Sequence, residues 1–362
     1  MKSQPQKLIW PDLNFSACLG KAISVILSLI VAVFFAHNFV PFPLWSAPYV
    51  ILASSLMLWL WKRPSIPKPS KADAWPLFCV LLIGVSLALY FQNFPLFPEY
   101  RSVDFQQHVG IVTSHANGQT PALEAQILYY GVEYILSLFI LLFGASLHPV
   151  FLVRLAITPL VILSPLVLLY ATSKLFDSHR AAWITTLVYS LSAIIWFTMP
   201  FNVGLYPNFY GLLASLFLIV ASIDFIKERI GLSSLFYLGL ALLNALLSHY
   251  TVLFLLPPLT VSLILYSKKE NVLKRGLVFL GILLSPLAIG VAVFSGISVT
   301  LFGFLASQGS PPAPTLLSSL IPLPVLSYIV AEITNDWLSL TIFLILPFYA
   351  LNAIKTKNYL LL

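Results

Sequence analysis

Charge is what this 362-residue chain has least of. Charged residues make up 9% of it, against roughly a quarter in an ordinary soluble domain, which excludes a water-facing globular fold. Cysteine is scarcer still. Cys18 and Cys79 are the only two, both in apolar runs, with neither disulfide-framework nor metal-ligand spacing. No Asp-X-Asp and no internal repeat appears. The formal charge of +7 does not make a nucleic-acid surface, because the basic residues stand in short blocks between apolar runs rather than on one face. The polar start, Met1 to Asp12, leads into a full-length apolar run rather than a short hydrophobic region with a cleavage site. The first span is therefore expected to stay.

What the chain has in abundance is hydrocarbon, with 59% hydrophobic residues. Eleven apolar segments can be read: Ala17 to His37, Leu44 to Trp61, Trp75 to Phe94, Ile127 to Leu147, Val150 to Ala171, Ala181 to Met199, Phe209 to Ile226, Leu232 to Ser248, Thr251 to Tyr266, Leu277 to Phe294, and Leu338 to Ile354. Most approach or exceed the roughly 18 to 20 residues needed to cross a hydrocarbon core. The expected fold is all-α, a polytopic membrane bundle of ten to eleven transmembrane helices filling one integral domain, 1–362. Within it 17–94 holds three spans, 95–126 an external loop, 127–294 a central bundle, 295–337 a second external loop, and 338–362 the last span and tail.

Lys and Arg stay on the cytoplasmic side of short loops. Eleven full crossings would send the loops of Lys174 with Arg180, and of Lys227 with Arg229, outside. Treating Ile127 to Leu147 as a re-entrant or interfacial pair of half-helices restores them. That segment carries Glu133 inside its apolar run, and Gly131 and Gly144 give the backbone places to bend. Ten crossings remain, with both termini cytoplasmic and all of the 19 basic residues inside except Arg101 and Arg154. The extracytoplasmic face then collects Asp104, His108, His115, Glu133, Arg154, Tyr206, Asn208, His249, Glu332 and Asp336.

After the third span, a helix starting near Ser102 would align Asp104, His108, Ile111 and His115 on one stripe. Phe105, Val109, Val112 and Ala116 fall on an adjacent apolar stripe, with Asn117-Gly118 as the stop. That pattern reads as an interfacial helix lying on the membrane surface. Asp104 near its start serves equally as a base that takes a proton from a hydroxyl or as a cap for the first turn. No cluster completes a metal site around it.

Ser102-Val-Asp-Phe-Gln-Gln-His108 through Gly118, with Tyr129-Tyr-Gly-Val-Glu-Tyr134, Leu142-Phe-Gly144 and Leu247-Ser-His-Tyr250, resembles the polytopic GT-C glycosyltransferases over roughly Trp75 to Tyr266. The resemblance implies transfer of a sugar from a polyprenyl-phosphate-linked donor to an acceptor hydroxyl of a glycan, lipid or protein on the outer face of the cell membrane. It implies Asp104 as general base and inversion at the anomeric carbon; no cofactor or nucleic-acid partner is expected, and the missing Asp-X-Asp, a departure from the family, argues against a divalent metal. Arg101, Arg154 or His249 would meet the departing phosphate, with His108 contacting the donor.

Each of these has a plainer reading. Arg154 can snorkel to headgroups, His249 can be a hydrogen-bonded turn residue, and Glu133 can pair with Arg154. His115, Glu332 and Asp336 are acceptor-contacting or structural candidates. Loop 295–337, with Gly309-Ser-Pro-Pro-Ala-Pro314, reads as a lid or as a loop on the membrane surface. Two other classes share the composition: a transporter or lipid flippase, and a non-catalytic membrane subunit of an envelope-assembly complex.

Overall fold

A computed structural model describes residues 14–62, 66–93, 103–119, 130–144, 148–176, 179–227 and 232–249. All belong to one compact unit, Met1–Leu259, while Thr260–Leu362 forms another. The expected spans Thr251 to Tyr266, Leu277 to Phe294 and Leu338 to Ile354, and the loop 295–337, lie outside the described residues.

The described chain is helical, without a strand: α1 Phe15–Ala36, α2 Ala47–Lys62, α3 Ala74–Asn93, α4 Val103–Ala116, α5 Gly131–Phe143, α6 Pro149–Phe176, α7 His179–Leu191, a π-helical stretch Ile194–Val203, α8 Tyr206–Lys227 and α9 Leu232–Ser248. Among the described residues, six stretches are long and apolar enough to cross a membrane: Phe15–Ala36, Leu44–Trp61, Lys71–Gln92, Pro149–Leu175, Arg180–Phe201 and Tyr206–Phe225. This is the architecture of a multi-pass membrane protein. α2 keeps Leu52, Met57 and Trp59 more than half exposed, apolar surface that suits lipid and not water.

α1 and α6 form the spine. A methyl at Gly20 would lie 2.0 Å from the Leu166 carbonyl oxygen, so only the missing side chain lets the two backbones touch. Two prolines, Pro159 and Pro165, interrupt the hydrogen bonding of α6. Pro165 leaves the Val161 carbonyl without its amide partner, and Ser164 Oγ donates to that carbonyl at 2.7 Å. Tyr189 Oη of α7 in turn donates to Ser164 Oγ at 2.7 Å. Deeper in the bundle, Asn244 of α9 donates to Ser28 Oγ of α1 at 2.9 Å and accepts from Tyr210 Oη of α8 at 2.8 Å, tying three helices together.

Side-chain contacts sort the helix termini into two ends. At one, Asp73 meets Ser16, Lys174 meets Asp224, and Lys21 sits over Tyr237. These residues mark the starts of α1, α3 and α9 and the finishes of α6 and α8. At the other, Phe34 of α1 stacks on Tyr134 of α5, Phe91 of α3 meets Phe201, and Arg154 of α6 lies over Phe105 of α4. α3 therefore finishes, and α6 begins, at one and the same end.

Between them lies α5. Its 13 residues reach only about 20 Å at 1.5 Å per residue, short of a hydrocarbon core of roughly 30 Å. It is one helix over 131–143, not a pair of half-helices. Gly131 and Gly144 sit at its ends, where Gly144 keeps an ordinary right-handed φ of −64°. The expected span Ala181 to Met199 falls within the crossing-length stretch Arg180–Phe201, although α7 itself stops at Leu191 and the chain widens into π turns. Pro200 lies inside them, and the stretch closes on Gly204 at φ 77°, a backbone that favours glycine.

Candidate functional site

α4 stops where its sequence says it should. Gly118 adopts φ 85°, its amide donates to the His115 carbonyl at 3.0 Å, and the Gln119 amide donates to Ser114 at 3.0 Å, a Schellman closure. The expected surface orientation does not hold. Phe105, His108, Val112 and His115 are all buried, while Gln106, Gln107 and Gly110 face outward. The two stripes are neighbours on one helix and merge into a single face, which packs on α5 and not on a membrane surface. Polar partners on α5 make this burial tolerable.

Those partners build the site. His108 Nδ1 pairs with Glu133 Oε1, a contact between groups of 1% and 0% exposure. Two turns further along α4 and one further along α5, His115 Nδ1 and Ser137 Oγ are hydrogen-bonded at 2.9 Å. The His115 ring also packs against both Phe34 and Tyr134, with centroids at 5.5 and 5.4 Å. Burial holds its pKa down at about 4, with a further push from His37, so His115 is a neutral imidazole at pH 7.

Arg154 rises from the first turns of α6. It is 7% exposed, so it does not snorkel to solvent, and its Cζ lies 4.9 Å from the Phe105 ring centroid. It forms no ion pair with Glu133, contrary to the pairing open to it in the sequence. Glu133 is turned to His108, and the guanidinium is turned to the Phe105 face, a cation on an aromatic quadrupole. Among the described residues, Arg154 Nε and Nη1, Glu133 Oε2 and His115 Nε2 are buried without a hydrogen-bond partner. Such groups are rare in native proteins and ask for an explanation.

Tyr206, the first residue of α8, closes the floor. Its ring lies 5.1 Å from that of His108 and 6.3 Å from that of Phe105. The sequence placed Tyr206 on this face without giving it a role; the available signal was its position two residues after Gly204 in Gly204-Leu-Tyr-Pro-Asn208. His249 follows α9 and is 2% exposed, its pKa lowered by burial to about 4. Gly131 brings it close to the group: a methyl there would lie 2.7 Å from Ser248 Oγ, so the start of α5 abuts the finish of α9.

The structure thus gathers Glu133, Arg154 and His249 at one end of the bundle with His108 and His115 of α4, the helix that also carries Asp104. Asp104 lies in the first turn of α4, but its side chain is outside the described residues, as are Arg101, Glu332 and Asp336. Among the described residues no three His, Cys, Asp or Glu side chains stand together as metal ligands. What the arrangement offers chemically is a dry cation with open N–H donors beside a carboxylate–imidazole pair. An anion with oxygen acceptors satisfies such a group best. No family model, curated protein or solved structure matches the chain.

Proposed function

We propose that this protein is a membrane glycosyltransferase of the GT-C type, moving a sugar from a polyprenyl-phosphate-linked donor to an acceptor hydroxyl on the extracytoplasmic face. The observation that carries the reading is Arg154, a buried guanidinium with Nε and Nη1 unfilled beneath the helix bearing Asp104. A phosphodiester entering from the bilayer would give these donors charged acceptors while leaving its lipid tail among apolar helices. In the reaction the Asp104 carboxylate takes the acceptor proton as the oxygen bonds to the anomeric carbon. The bond from that carbon to the phosphate oxygen breaks with inversion. The electron pair departs on polyprenyl phosphate, whose growing charge Arg154 stabilises. No metal is called for.

The topology that goes with this reading has ten crossings, both termini cytoplasmic, and α5 inserted without crossing. Short α5 between two same-end neighbours supports it, as does the basic character of the opposite end. The test is turnover by purified protein against a range of lipid-linked sugars, comparing wild type with Asp104→Asn. Loss of a general base lowers the rate by about 10²- to 10⁴-fold. Unchanged transfer in the variant sinks the assignment of Asp104, and the absence of turnover with every donor sinks the reaction class.

A further inference from the structure

A groove of about 260 Å³ runs between the starts of α3 and α7, at the end of the bundle away from Arg154. Its walls are Trp75 and Cys79 from α3 and Trp183, Ile184 and Leu187 from α7, and Arg180 stands at its rim. Trp75 and Ile184 are 54% and 63% exposed, so the groove opens sideways from two apolar helices, where lipid is the solvent. This is also the basic end: Lys21, Lys71, Lys174 and Arg180 gather at the termini of α1, α3, α6 and α7.

Hydrocarbon walls with a cation at the rim fit one kind of molecule, an amphiphile with an apolar tail and an anionic head. We infer that the α3–α7 groove binds an anionic glycerophospholipid of the cytoplasmic leaflet, its phosphate on Arg180 and part of one acyl chain against Cys79, Ile184 and Leu187. Three observations favour this occupant. Basic blocks mark the cytoplasmic side of membrane proteins, and basic pockets between helices on that side select anionic headgroups. Two tryptophans flank the groove, the side chain most enriched where hydrocarbon meets headgroup. The cation is an exposed arginine, able to meet a headgroup phosphate bidentately, and it lies within the first turn of α7, where the helix dipole also favours an anion. A polyprenyl phosphate has the same chemistry, but its proposed site is at the opposite end of α6, about 30 Å away by helix rise. The inference is independent of the proposed reaction.

The experiment uses the full chain in mixed micelles of detergent and phosphatidylcholine, titrated with phosphatidylglycerol or phosphatidylcholine brominated on the acyl chain. The readout is tryptophan quenching in wild type minus that in Trp183→Phe, which isolates Trp183. The expected result is half-quenching at a mole fraction of brominated phosphatidylglycerol at least fivefold lower than of brominated phosphatidylcholine. Arg180→Gln, an exposed substitution, should bring the two within twofold, and Ile184→Phe should weaken quenching by both. Equal quenching by the two lipids in wild type overturns the inference, as does a preference that survives Arg180→Gln. Displacement of brominated phosphatidylglycerol by equimolar polyprenyl phosphate would reassign the groove to the isoprenoid.

Discussion

Two buried carboxylates, one at each end of the bundle, are treated in opposite ways. Asp73, 1% exposed, accepts four hydrogen bonds, from the amides and hydroxyls of Ser16 and Ser70, at 2.7 to 3.0 Å. That fills a carboxylate's capacity. Among the described residues Glu133, fully buried, has one oxygen on His108 and the other without a hydrogen-bond partner, and Arg154 nearby has two open donors. At the basic end even the half-buried Lys174 finds Asp224, at 3.2 Å. Satisfied polar groups fasten helices, whereas unsatisfied ones are tolerated only where something else completes them. The contrast lies between these two carboxylates rather than between whole ends, since Asn14 Nδ2 at the basic end is also buried without a hydrogen-bond partner among the described residues.

Substitutions sharpen the contrast by its sign. The largest loss is expected from Asp73→Ala, which orphans four donors at about 1 kcal/mol each, about 4 kcal/mol in all. It should appear as a lower unfolding midpoint in detergent, and an unchanged midpoint would mean the fastening at this end is illusory.

Acid should act next, and at the other end. His115, held neutral with a pKa near 4, is uncharged in both folded and unfolded chain above about pH 6.5. Between pH 6.5 and 4 only the unfolded chain takes up the proton, so stability falls as pH falls, by about 3 kcal/mol once pH 4 is reached. Comparing the midpoints of wild type and His115→Phe at pH 7.5 and pH 5 checks this, since the drop should shrink in the variant. A drop that His115→Phe leaves intact would shift the effect to His249, which burial perturbs in the same direction.

Glu133→Gln should cost about 2 kcal/mol, the weight of a hydrogen bond to a charged group. Its mark should be local: hydrogen exchange accelerating in α4 more than in α8. Uniform acceleration would deny the pair its role in holding α4 to α5.

Much of the frame was legible in the sequence because lipid imposes a one-dimensional rule of length and hydropathy. Leu232 to Ser248 matches α9 residue for residue, and α1 departs from Ala17 to His37 by two residues at one end and one at the other. The charge count singled out Ile127 to Leu147, within which α5 occupies Gly131–Phe143. Partners were not legible. His108 with Glu133, and Arg154 with Phe105, join residues 25 and 49 positions apart on different helices, and periodicity is silent about which helix faces which. The two stripes of α4 looked amphipathic in the absence of a partner, and only α5 turned the polar one inward. The break at Ser192 was missed because π turns keep an apolar sequence apolar.

The central claim is that the end holding Arg154 is completed by an anion. The direct measurement is the unfolding midpoint of wild type and Arg154→Met, with and without a short-chain prenyl phosphate. Removing a buried cation with two open donors among the described residues while losing its stacking on Phe105 should change the unliganded protein by no more than about 1 kcal/mol. Saturating ligand, at about 100 times its Kd, should stabilise wild type by roughly 2.7 kcal/mol and leave the variant unmoved. Equal stabilisation of both proteins, or none of wild type, would contradict the account.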